Sequence, residues 1–149
     1  MNASLPREPQ DEVIYVLPTK VIDGADGVPA YSDAVRSFPK RARASNVAAE
    51  FSHSGTDRKF VSEYSAVSTA EIALALIGPV TDAVLFAVQL FLAHRASNLG
   101  VLEEAAQHQP LRLSIARIDR SAQVIEGVEL EGTGEDVIAA LRATRDLLE

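Results

Sequence analysis

The run IALALIGPVTDAVLFAVQLFLA occupies residues 72–93 and carries the strongest structural signal in the chain. The preceding Ser-Thr-Ala-Glu, residues 68–71, has the spacing of a capping box, in which the first and last side chains bond each other's backbone amides. We therefore predict one long helix that begins at this box and ends near residues 98–100, Asn-Leu-Gly. A narrow polar or small-residue stripe recurs every seven positions, and the other faces are apolar. The stripe consists of Ala75, Asp82, Gln89 and Ala96.

Two environments can shield such a helix from water. Its length suffices to cross a bilayer, but Asp82 near its centre is costly to bury in lipid, and Gly78-Pro79 would kink it. We expect burial by protein instead, with one side on a sheet and another against a helix of this chain or of a second copy. A membrane-anchored protein that uses the same helix is the alternative. The residues predicted to form the interface are Val84, Leu85, Val88 and Leu92.

The first half of the chain predicts short elements. Residues 13–17 are apolar and β-rich and indicate a buried strand. Two Asp-Gly turns place residues 22–29 in a loop. A weak helical pattern follows, which Pro39 interrupts, so that its second piece covers residues 40–51. Residues 59–67 are a second strand candidate.

The second half predicts a β-hairpin and a last helix. Residues 111–115 alternate between apolar and polar or small side chains, as a strand with one buried face does. Residues 124–130 return as its partner, with Gly127 as a candidate bulge, and Thr133 should cap the last helix. The resulting order is β-α-β-α-β-β-α. We predict an α+β fold: a small sheet with a C-terminal β-hairpin and a central apolar helix packed on it.

Composition limits the classes of protein. With 149 residues and 47% hydrophobic side chains, the chain fits one domain, which we place at residues 12–149 after a flexible leader at 1–11. The polar N-terminus lacks the apolar core of a secretory signal, and the absence of cysteine excludes disulfides, so we expect a cytoplasmic protein. A net charge of −7 disfavours nucleic acid as a partner.

No motif indicates an enzyme. The histidines at 53, 94 and 108 lack metal-ligand spacing, and Ser52-His53-Ser54 is a polar loop whose adjacency does not make a triad. We predict no catalytic, cofactor-binding or metal-ligating residues and no bound cofactor. An enzyme whose site is not visible in the sequence, for instance one that joins Asp82 to a histidine, is a further alternative.

Charged side chains form one basic and one acidic group. The basic group consists of Arg36, Lys40, Arg41 and Arg43. It has two interpretations: a solvated helix face, or a contact for an acidic partner. That partner could be the acidic hairpin of a second copy. The acidic group flanks the hairpin, where charge protects a sheet edge, and either Glu129 or Glu131 should pair with Arg112 across the hairpin. It consists of Glu126, Glu129, Glu131, Glu135 and Asp136.

The pattern of the second half resembles a known family. FLAHR at residues 91–95 ends an apolar helix, LRLSI at 111–115 and the strand at 124–130 form a hairpin, and GEDVIAALR at 134–142 begins a helix. Over residues 68–148 this is similar to the effector-associated constant component domains of actinobacterial conflict systems. The resemblance implies a non-enzymatic adaptor that couples partners in a defence or signalling system. We expect the chain to associate with itself through the helix at 72–93 and to bind an effector or signalling protein. It carries over no functional residues.

Overall fold

In the computed structural model, the described part of the chain is residues 5–6, 8–22, 28–32, 35–53, 60–61, 70–78, 82–99, 110–121 and 123–148. It contains a five-stranded sheet of order β4-β1-β6-β7-β8 and a three-stranded sheet of order β2-β3-β5. The strands are β1 (Ile14–Leu17), β2 (Lys20–Ile22), β3 (Val28–Ser32), β4 (Ala49–Phe51), β5 (Phe60–Val61), β6 (Ala70–Ile77), β7 (Pro110–Ile118) and β8 (Val124–Thr133). The helices are α1 (Phe38–Ala44), α2 (Asp82–Leu99) and α3 (Gly134–Leu148).

The apolar run at 72–93 is a strand followed by a helix, so the prediction of one continuous helix is wrong. Ala70–Ile77 forms β6, the chain turns at Gly78, which has a φ of 98°, and α2 begins at Asp82. Glu71 of the proposed capping box lies inside the strand. β6 is the central strand of the five, and a strand covered on both faces shows a continuous apolar run instead of alternation. Such a run cannot be distinguished from a buried helix by periodicity.

The membrane interpretation depended on that continuous helix. Among the described residues, no helix is both long and apolar enough to span a bilayer.

α2 is the crossover between two parallel strands. β6 runs parallel to β7 over its whole length, from Ala70 opposite Leu111 to Ile77 opposite Ile118. Parallel neighbours require such a crossover, and a helix usually supplies it. β1 is antiparallel to β6 and parallel to β4, while β7 and β8 form the predicted hairpin. Grouped in this way, the elements follow the predicted order, and the α+β class is confirmed.

The two faces of the large sheet are covered differently. On one face, alternate side chains such as Leu74 and Leu113 form a core with α1, α2 and α3. On the other face Leu5, which is 8% exposed, packs with Tyr15, Ala75 and Ile118. The backbone N–H of Gln10 donates to the Tyr15 hydroxyl at 2.8 Å. Leu5 and Gln10, which belong to the predicted leader at 1–11, therefore contact the sheet.

The predicted helix at 40–51 is wrong in its bounds. Pro39 lies in the first turn of α1, where its fixed φ and missing N–H are tolerated, so it begins the helix instead of interrupting it. The helix ends at Ala44 with Ser45 as its C-cap, Asn46 adopts a φ of 66°, and residues 49–51 form β4. β2 and β3 flank the predicted loop, of which residues 23–27 lie outside the described part. β5 lies within the predicted strand at 59–67, and the rest of that strand, residues 59 and 62–67, lies outside the described part of the chain.

Candidate functional site

The four residues predicted to form an interface on the apolar helix lie in the core of a single chain. Val84 and Val88 are 0% exposed, Leu92 is 4% exposed and Leu85 is 8% exposed. α2 contacts both α1 and α3, and its residues share one core cluster with the sheet. These side chains offer no surface to a second copy, and the expectation of a contact through them is corrected by their burial. A docking surface has to be sought elsewhere.

The edge strand β8 is the most prominent surface of the described residues. It is ten residues long and, in the described part of the chain, pairs only with β7. Its outer edge therefore presents backbone N–H and C=O groups that β7 does not use. An unpaired edge of this length favours contact with another chain.

Two large apolar side chains stand exposed where β8 begins. Val124 is 52% exposed and Ile125 is 62% exposed. Arg117 pairs with Glu126 and Ile118 with Val124, so Ile125 is the extra residue of a β-bulge. The bulge lies here and not at the predicted Gly127. Phe86 on α2, at 40%, is the other large exposed apolar side chain in the described ranges.

Carboxylates line the same strand and are partly neutralised by two arginines. The Arg112 guanidinium lies 3.3 Å from the Glu131 carboxylate and 3.9 Å from that of Glu71, which confirms the expected cross-strand pair. The hydrogen bond to Glu131, followed by the charges of Glu131 and Glu71, raises the pKa of Arg112, so this cation stays protonated. Arg117 pairs with Glu126 and donates from Nε to the Gly78 carbonyl at 2.9 Å.

The acidic character continues into the first turn of α3. The Asp136 backbone N–H donates to the Thr133 hydroxyl at 3.1 Å, which confirms the predicted cap. Glu135 and Asp136 are both exposed there. We name the β8 edge together with these two residues the acidic edge.

The basic group lies at the other end of the molecule. Arg36, Lys40, Arg41 and Arg43 are all exposed, and the last three lie on α1. α1 contacts β4, the strand at the edge of the sheet opposite to β8. No carboxylate occurs between residues 35 and 49. We name these four residues the basic cluster.

A polar cluster joins a tyrosine, a serine and a histidine without forming a nucleophile–base pair. The Tyr31 and Ser52 hydroxyls are 3.0 Å apart, and the backbone N–H of His53 donates to the Tyr31 hydroxyl at 3.1 Å. The buried Nε2 of His53 has no hydrogen-bond partner among the described residues. Activation of a hydroxyl requires an imidazole nitrogen within hydrogen-bond reach of it. Here the histidine contributes its backbone, so the cluster links β3 to the end of β4.

A cleft of about 630 Å³ opens near the start of β1 and the end of β6. Its walls are mostly apolar and include Val47 and Leu76, and its carboxylates are Asp11 and Glu12. Asp11 is already paired with Arg120 at 2.9 Å, and the bond raises the pKa of that arginine. Across the described ranges no three His, Asp or Glu side chains lie close enough together to hold a metal ion. The alternative site that joins Asp82 to a histidine lies outside the described residues, because the side chains of Asp82, His94 and His108 are not among them.

Comparisons with family models, with curated proteins and with solved structures gave no match for this chain.

Proposed function

We propose that the chain is a small non-enzymatic protein-interaction module, an adaptor, that binds a protein partner at the acidic edge. The observation that carries the proposal is the ten-residue strand β8, which among the described strands pairs with β7 alone and exposes Val124 and Ile125 at its start. Together they offer backbone hydrogen-bonding groups, apolar contact area and charge on one surface. The resemblance of residues 68–148 to effector-associated constant component domains favours the same class of function.

The charges on the edge support a selective partner over indiscriminate pairing. Exposed glutamates and a bulge are devices that keep an edge strand from joining any other strand. A partner that brings a cation to the exposed Glu129 neutralises this carboxylate, whereas an acidic or apolar strand is rejected. The partner expected here is therefore a protein surface rich in lysine or arginine.

Site-specific photo-crosslinking in living cells tests the proposal. A photoreactive p-benzoyl-phenylalanine replaces Ile125 in one variant and Phe86, which is exposed on α2, in the control variant. Both side chains are exposed, so the replacements should leave the fold intact, which circular dichroism checks. We expect a discrete adduct of higher mass from position 125 and none from position 86.

The mass of the adduct identifies the partner as a second copy or as another protein. If position 125 gives no adduct, or gives the same mixture of adducts as position 86, the acidic edge is not a docking surface and the proposal fails.

A further inference from the structure

We infer that the partner of the acidic edge is a second copy of this chain, which docks through its basic cluster in a head-to-tail arrangement. This inference rests on the proposed function, because it names the occupant of the same surface.

The two surfaces lie at opposite ends of the sheet. β4 and β8 are the outermost of the five strands, α1 contacts β4 and α3 contacts β8. Four inter-strand spacings separate the two edges, which is about 19 Å. That distance exceeds the Debye length of about 8 Å at physiological salt. The two surfaces therefore hardly neutralise each other within one copy and remain available to a second one.

The two surfaces carry charges of opposite sign. The basic cluster includes Lys40, Arg41 and Arg43 on α1, which are all exposed. On the acidic edge Glu126 is paired with Arg117 and Glu131 with Arg112, while Glu129 and Asp136 add two exposed carboxylates. The basic cluster of one copy and the acidic edge of another therefore attract each other.

The same charges reject a symmetric dimer. Two β8 edges side by side would bring Glu129 and Glu131 of both copies together, and two basic clusters would repel each other in the same way. Only the contact between unlike ends is attractive. Such a heterologous contact leaves one acidic edge and one basic cluster unused at the ends of every dimer, so assembly continues into chains or closed rings.

Ionic strength should control the assembly. The Debye length is about 20 Å at 20 mM salt and about 4 Å at 500 mM salt. We therefore expect the wild type to sediment as oligomers at micromolar concentration in 20 mM salt and as a monomer in 500 mM salt. Attraction through charges at a docking surface also predicts that reversing two of them weakens association at least about tenfold.

A charge exchange tests the pairing itself. One variant carries Lys40→Glu and Arg41→Glu, and the other carries Glu129→Lys and Glu131→Lys. Each alone presents two surfaces of the same sign, so each should sediment as a monomer in low salt. Mixed together, each variant complements the other at both ends, and oligomers should return. Arg142→Glu, which reverses an exposed cation on α3, is the control and should associate as the wild type does.

Several results would overturn the inference. The wild type could be a monomer in low salt, or either double variant could associate on its own. The third such result is a mixture of the two variants that stays monomeric although both show the wild-type circular dichroism spectrum. If a variant is unfolded, the neutral pairs Lys40→Gln/Arg41→Gln and Glu129→Gln/Glu131→Gln replace it, and each must weaken association for the inference to stand. An adduct from position 125 with another protein, found together with a monomeric wild type, would reject the second copy and leave the proposed function standing.

Discussion

Replacing Val88 by aspartate separates the two roles that the apolar helix can have. If Val88 contacted a second copy, Val88→Asp would give a folded monomer. In the structure Val88 is 0% exposed and belongs to the core cluster that joins α2 to the sheet. We therefore expect Val88→Asp to unfold the chain.

The expected loss of stability follows from two contributions. Removing the buried valine side chain forfeits about 2 kcal/mol of apolar burial. An ionised carboxylate without a partner in the core costs several kcal/mol more, even after relaxation and water penetration. Their sum, about 5–8 kcal/mol, reaches the usual net stability of a domain, which is about 5–15 kcal/mol. Most Val88→Asp molecules should then be unfolded at neutral pH.

The loss should depend on pH in a defined direction. Burial raises the pKa of the introduced carboxyl group above its value in the unfolded chain. The folded state then binds the proton more tightly, so the penalty is present at neutral pH and shrinks as the pH falls towards about 4. The assay is urea denaturation followed by circular dichroism at several pH values, with the wild type measured at each pH. The difference between the two proteins should narrow in acid.

Phe86→Asp on the same helix is the matched control. Phe86 is 40% exposed, so a carboxylate there reaches water and the protein should stay folded. If Val88→Asp folds with a wild-type urea midpoint and only changes the state of association, the burial of α2 within one chain is refuted.

Three further changes test other contacts. Arg117→Ala removes the hydrogen bond to the Gly78 carbonyl and should lower the free energy of unfolding in urea by about 1–2 kcal/mol. Arg120→Ala, at an arginine whose side chain is 80% exposed, is the control and should leave the urea midpoint unchanged. Equal effects of the two changes would show that the bond to Gly78 does not stabilise the fold. Glu12 has a φ of 65°, a backbone conformation in which a Cβ atom costs about 1 kcal/mol. Glu12→Gly should therefore be more stable than Glu12→Ala by that amount in thermal denaturation. The reverse order of stability would show that the strain is absent. Leu5→Ala should lower the stability by about 2 kcal/mol in urea denaturation because the side chain is 8% exposed, and no change would mean that the N-terminal segment does not pack on the sheet.

The elements that the sequence predicted best are those whose pattern is local. Residues 111–115 alternate because only one face of β7 meets the helices, and Thr133 caps α3 through an oxygen three residues before the amide it binds. The predicted pair between Arg112 and a glutamate followed from the register of a short hairpin. Each of these features is settled by residues close together in the chain.

The misread segment depended on distant residues. Residues 70–77 become a strand because β1 and β7 lie on either side, and neither neighbour is visible from the run itself. The same holds for α2, whose apolar side chains Val84, Val88 and Phe91 are buried in the core that the sheet shares with α1 and α3. Apolar faces that the sequence assigned to a second copy are thus covered by the chain's own elements.

The candidate surface was only half visible in the sequence. The acidic and basic groups were recognised, but their placement at opposite ends follows from the strand order. Val124 and Ile125 were missed as exposed residues because a bulge in the register decides which way they point. The available signal was the pair of adjacent β-branched residues at the start of β8. A strictly alternating strand would have had a polar side chain at one of these two positions, so the pair indicated an irregularity in the strand.

The position of β6 between β1 and β7 also sets an order of events during synthesis. Val16 pairs with Leu74, 58 residues further along the chain, and Ala70 pairs with Leu111, 41 residues further. Pairings between such distant residues are slow to form because the intervening loop must close first. A nascent chain that has released β1 and β4 from the ribosome cannot complete its sheet, since the strand that joins the two halves has yet to emerge. The β7–β8 hairpin and α3 are formed from residues that are near each other in sequence, so they need no such long loop to close and should form faster than the pairings of β6.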